Sequence, residues 1–71
     1  MTTTIDTLKK SDAIKRTVAR NVAAGAWLKA ATEEATAWLD KSEKSRRADV
    51  VAYVEGEYRA AGLDSRGRKN D

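Results

Sequence analysis

Paired carboxylates are the first residues in this chain that could do chemistry. Glu33 and Glu34 are adjacent, and Glu55 and Glu57 are two apart. Two carboxyls in different environments can divide acid and base roles, provided a pocket shifts the pKa of one of them. The rest of the inventory works against this. There is no histidine and no cysteine, so the usual bases, nucleophiles and soft metal ligands are missing, and zinc would find only carboxylates. The four glycines are isolated rather than gathered into a phosphate loop. Both glutamate pairs fall on helix faces that the apolar pattern leaves outside. Ser42 and Ser45 are explained as loop and cap residues. The expectation is a non-enzymatic protein with no cofactor, no metal and no small-molecule substrate.

Charge is the chemistry that remains. The net charge is +3, spread unevenly. Residues 1–26 carry Lys9, Lys10, Lys15, Arg16 and Arg20 against Asp6 and Asp12. Residues 27–44 are slightly acidic and residues 45–63 are neutral. A basic first third fits an anionic partner. Aromatic residues are the other recognition material: Trp27, Trp38, Tyr53 and Tyr58.

These side chains must be held by helices. Residues 45–63 read as one complete helical unit. Ser45 is the N-cap candidate. Val51, Val54, Tyr58 and Ala61 recur at 3-4-3 spacing with Val50 beside them, one buried stripe. Gly62 and Leu63 then supply a Schellman stop. The predicted helix spans about 45–61. Tyr53 lies off the stripe and is expected to be exposed, available to a partner. Ala48, Ala52, Gly56 and Ala60 form a row of small residues at four-residue spacing. A glycine in a helix interior costs about 1 kcal/mol relative to alanine, so Gly56 is a candidate point of close contact with a partner helix.

Upstream, Leu28, Ala31, Ala35, Trp38 and Leu39 make a second apolar face. Trp27 and Trp38 are about three turns apart and are expected to share a side. Residues 41–44 are a short polar connection. The stretch 11–26 admits two readings. Ile14, Val18 and Val22, spaced by four, fit a helix face, and alanine richness with a Ser11-Asp12 start favours helix. The same residues with Arg16 and Arg20 between them also alternate as a strand would. The first reading gives one helix from about 12 to 40, about 45 Å long, with Gly25 as a bend. No proline interrupts it.

The fold expected is therefore all-α: a two-helix hairpin flanked by a flexible N-terminus over 1–10 and a disordered basic tail over 64–71. A single domain of 71 residues rarely supplies more than roughly 3–5 kcal/mol from its core. With disulfides and metals excluded, a second copy is the expected stabiliser. Trp27, Leu28, Trp38, Leu39, Val51, Val54 and Tyr58 would form the core of that homodimeric bundle. No apolar run approaches the length of a bilayer span, and the first residues lack the apolar region of a signal peptide. The chain is expected in the cytoplasm, with no membrane partner.

The segment 44–62, KSRRADVVAYVEGEYRAAG, resembles the second helix of ribbon–helix–helix regulators of the Arc/MetJ type. The match runs through Ser45, Ala48, Asp49, Val50, Val51, Val54, Tyr58 and Gly62. The helix before it is similar too, in Ala31, Ala35, Trp38 and Leu39. The resemblance covers residues 27–62. It implies a dimeric DNA-binding repressor in which a short strand before the first helix reads the major groove. Residues 22–26 offer no hydrogen-bonding side chains for that. The implied strand moves to about 15–22, where Lys15, Thr17 and Asn21 would face base edges with Arg16 and Arg20 beside them. Ser45, Arg46 and Arg47 would grip phosphate at the helix N-terminus. The alternative function is a protein-binding inhibitor or antitoxin-type modulator that docks on a host or cognate protein through Tyr53 and Gly56.

Overall fold

The computed structural model describes residues 5–69. Among them are three α-helices and no strand: α1, Ser11–Ala24; α2, Leu28–Thr36; and α3, Arg47–Ala60. A 3-10 helix, Lys41–Arg46, runs directly into α3. The all-α expectation is met, but the two-helix hairpin is replaced by three helices. The expected rod over 12–40 would exceed the longest dimension of the molecule, 39 Å. Residues 15–22 are helical and do not form the alternative strand.

Gly25 divides the expected long helix. It adopts φ +67°, the left-handed conformation that glycine reaches without strain. Its N–H donates to Val22 O, and the N–H of Ala26 donates to Asn21 O, so α1 closes with a Schellman motif. The predicted stop at Gly62 is built the same way. Gly62 has φ +74°, its N–H donates to Arg59 O, and the N–H of Leu63 donates to Tyr58 O. Helix α2 then ends early. The Thr36 hydroxyl donates back to Thr32 O, and residues 37–39 tighten into i→i−3 turns at Trp38 and Leu39.

Helix α2 packs on both α1 and α3, and α1 meets α3 over a smaller area. The core joins Ile14 and Val18 from α1, Ala31 and Ala35 from α2, and Val50, Val54 and Tyr58 from α3. Ile5, Leu8 and Leu39 complete it. The buried stripe of α3 thus runs through Val50, Val54 and Tyr58, while Val51 is half-buried. Leu39, Val54 and Tyr58, expected in the core of a dimer, are already buried within the single chain. Trp27, Leu28, Trp38 and Val51 remain at least partly at the surface.

Both ends of the chain are tied down where they are described. In place of a flexible N-terminus, residues 5–10 bury Ile5 and Leu8. Lys9 donates its backbone N–H to Glu43 and its ammonium to Asp40. In place of a disordered tail, residues 63–69 turn back on themselves. The Asp64 carboxylate accepts from the N–H groups of Arg66 and Arg68, and Leu63 bridges to Lys69. The same two expectations for residues 1–4 and 70–71 lie outside the described residues. The polar composition of both ends suggested looseness; the ties are the burial of Ile5 and Leu8 and individual hydrogen bonds that composition does not encode.

The tail loop seats on the first Schellman turn. Ser65 O accepts from the N–H of Leu28, at the start of α2. The Tyr58 hydroxyl donates to Ala26 O at 2.7 Å. Among the described residues, no helix is long and apolar enough to cross a membrane.

Two of the turn glycines, Gly67 and Gly25, and the helix-interior Gly56 rank in a definite order. A Cβ at Gly67 would collide with the carbonyl oxygens of Gly25 and Ala26, so Gly67→Ala is the most destabilising substitution. Gly25→Ala follows, at about 1–2 kcal/mol for a left-handed residue. Gly56→Ala meets nothing within 4 Å and should stabilise by up to ~1 kcal/mol. Urea unfolding of the three variants checks the order.

Tyr58 also sets an alkaline limit. Burial, with Glu34 adding to it, raises the phenol pKa above its ordinary value. The folded state then holds the proton when the unfolded chain would release it. The contribution is complete below about pH 10 and is lost as pH climbs from there towards the folded pKa. Tyr58→Phe should cost about 1 kcal/mol at neutral pH through the orphaned Ala26 carbonyl. The gap between wild type and variant should narrow above pH ~10, measured by thermal melts followed by circular dichroism.

Candidate functional site

Helix α1 buries Ile14, Thr17, Val18 and Asn21. Thr17 and Asn21 therefore stand on the core side of α1 and are unavailable to bases, contrary to the strand reading. Asn21 Nδ2 donates to Thr17 O, and Thr17 Oγ1 accepts from Trp38 Nε1 at 2.9 Å. Both polar side chains are satisfied, as burial demands. Arg16 and Arg20, one turn apart, stay on the outer flank and are exposed. Lys15 turns to the opposite flank, where its ammonium bonds Asp6 and its pKa is raised mainly by that hydrogen bond.

Trp38 completes the α1 surface. It lies beyond the end of α2, while Trp27 precedes α2 in extended conformation. Helical spacing therefore does not relate the two indoles, and they border different hollows. Trp38 is 39% exposed and Trp27 60% exposed. The Trp38 ring is held by Thr17 on its N–H edge, and the Lys10 ammonium lies over it, 5.5 Å from the centroid. That distance is within cation–π range. A hollow of about 340 Å³ is lined by Thr17, Arg20, Glu34, Ala37 and Trp38. A neighbouring one of about 290 Å³ shares Thr17, Arg20 and Trp38 and reaches Ala13 and Arg16.

The site so assembled is a half-exposed indole framed by Lys10, Arg16 and Arg20. Among the described residues no ion pair engages these three cations. Arg16 and Arg20 at four-residue spacing are readable in sequence. Lys10 and Trp38 are not joined to them by any local pattern, because they come from the segments before α1 and after α2.

The second cluster expected to bind phosphate is arranged differently. Ser45 is no N-cap. The 3-10 helix moves the start of the helical rod back to Lys41, and Asp40 caps it in a capping box with Glu43. The N–H groups at that end are therefore met by carboxylates rather than left free. Lys9 holds the Asp40 carboxyl below its usual range, with the Lys41 N–H assisting. Arg46 is half-buried, donating to Asp49 and to Thr7. Arg47 is exposed beside Trp27 and Glu55. Tyr53 is half-buried against the edge of the core, with its phenol pKa raised chiefly by burial. It is thus less exposed than expected, because it packs against the core cluster. Gly56 is exposed, with Ala48, Ala52 and Ala60 in the same exposed row.

Comparison with family models, curated proteins and solved structures finds no match for this chain.

The Thr17–Trp38 hydrogen bond fixes the orientation of the indole. Thr17→Val should cost about 0.5–1.5 kcal/mol and leave the ring loose in its hollow. In a Trp27→Phe background, acrylamide should then quench Trp38 emission more strongly than in the parent.

Proposed function

We propose that this protein is a small, non-catalytic regulator that binds nucleic acid, with DNA the expected partner, through Lys10, Arg16, Arg20 and Trp38. The observation that carries the reading is the gathering of three cations without ion-pair partners among the described residues around one half-exposed aromatic ring. Cations supply the sequence-independent attraction to phosphate, and an exposed indole supplies a surface for bases. The ribbon mode implied by the family resemblance lacks its strand here, so contact through the helix α1 flank replaces it. Repression of transcription is the expected consequence of occupying DNA.

Pairing of two copies, expected from chain length, enters this reading through surface the single chain leaves uncovered. Trp27 is 60% exposed, Leu28 lines the same hollow and is half-buried, and Val51 is half-buried too.

A second reading, a protein-binding modulator of the inhibitor or antitoxin type, is favoured by one observation. Gly56 interrupts an exposed helix interior where an alanine would meet open space. A partner helix approaching the row of Ala48, Ala52, Gly56 and Ala60 would explain a glycine there. On that reading Gly56→Ala stabilises the free chain and weakens the complex.

Fluorescence anisotropy with labelled DNA over a salt series tests the first reading. Affinity should fall steeply with salt, and Arg16→Ala and Arg20→Ala should each reduce the slope of log K against log salt by roughly 0.7–0.9. Arg47→Ala, exposed but off this face, should leave the slope unchanged. Absence of salt-sensitive binding would sink the reading. Sedimentation of the same mixtures counts the copies of the chain bound.

A further inference from the structure

The α1 flank has a feature that duplex binding alone does not use. A half-exposed indole stands over a hollow that also contains a carboxylate, Glu34. We propose that this hollow receives one unstacked base of a single-stranded nucleic acid, preferring bases that carry an exocyclic amino group; the proposal rests on the nucleic-acid reading above and specifies its ligand.

Three observations point there. First, the ring is positioned in advance. Its N–H edge is tied to Thr17, itself 2% exposed, so stacking a base on it costs little further ordering. Second, Lys10 does not line the hollow that holds Glu34; it borders another, with Lys9 and Asp40. Its cation over the ring therefore leaves the α1 side open. Bases within a duplex are stacked on each other and cannot reach an indole, whereas a splayed single strand presents a π-face that any aromatic ring can take. Third, both signs of charge are at hand. Arg20 lines the hollow together with Glu34, and Arg16 lines the adjoining one, so both arginines can meet flanking phosphates. The Glu34 carboxylate can accept from an amino group such as cytosine N4. Thymine and uracil present no amino group, so they should bind less well.

The test uses the full chain carrying Trp27→Phe, so that emission reports Trp38 alone. It is titrated with oligo(dC), with oligo(dT), with a duplex of equal length and with poly-glutamate. Oligo(dC) should quench Trp38 and bind more tightly than oligo(dT) or duplex. Trp38→Ala should weaken oligo(dC) binding by about 5- to 150-fold, the range for one base–aromatic stack. Trp38→Phe, which keeps an aromatic face, should recover much of that loss; circular dichroism confirms that both variants keep their helix. Glu34→Ala should erase the preference for oligo(dC) over oligo(dT) while leaving oligo(dT) binding intact. Binding that depends on Arg16 and Arg20 but leaves Trp38 emission unmoved, or that favours duplex, overturns this inference and spares the broader reading. No binding to any nucleic acid ends both. Quenching by poly-glutamate as strong as by oligo(dC) overturns the inference in favour of an acidic polypeptide ligand.

Discussion

Tyr58 is the residue on which the arrangement depends. It is 2% exposed, and the backbone and side chain of this one residue serve two different joints. Its carbonyl accepts from Leu63 and closes the Schellman turn of α3. Its hydroxyl crosses the core to the carbonyl of Ala26, just past the Schellman turn of α1. A buried phenol needs a partner for its O–H, and Ala26 O needs a donor. Each solves the other's desolvation problem. The bond also sets the distance between the end of α3 and the α1–α2 turn, and the tail loop then lies over that turn with Ser65 against Leu28.

The opposite pole is organised by charge instead of by a buried hydroxyl. Asp40 and Glu43 cap the helical rod, and Lys9 binds both carboxylates from outside. Lys9 and Asp40 are well exposed, so the pair contributes little stability of its own. Its effect is positional. It brings residues 5–10 against the α2–α3 junction, where Ile5 and Leu8 enter the core. With both poles closed, Lys10 sits over Trp38, and the cationic flank of α1 gains its aromatic centre.

Local signals in the sequence were legible wherever one segment contained the whole device. The stop at Gly62 with Leu63 needs only neighbouring residues, and it stands as predicted. Ala24-Gly25-Ala26 carries the same device, but the alanines around it favour helix, so Gly25 read as a bend within one helix rather than as its end. On α1 the buried face is 14, 17, 18 and 21, a regular helical pattern disguised because two of its members are Thr and Asn. Their hydroxyl and amide are satisfied by Trp38 and by the α1 backbone, which no one-dimensional pattern reveals. Ser45 looked like a cap because Ser is a good one, yet Asp40 with Glu43 three residues later is a capping-box spacing of equal quality. The candidate site was half visible. Arg16 and Arg20 share a helix flank by spacing, whereas Lys10 and Trp38 join them only once α2 has folded back.

The bond from Leu28 N–H to Ser65 O has a consequence for how the chain is made. Synthesis proceeds from the N-terminus, so α2 leaves the ribosome long before its first backbone donor can meet its acceptor. Until residue 65 emerges, that donor is left to water. The first turn of α2 is therefore completed from 37 positions downstream, and it closes after the local turns that need only neighbouring residues.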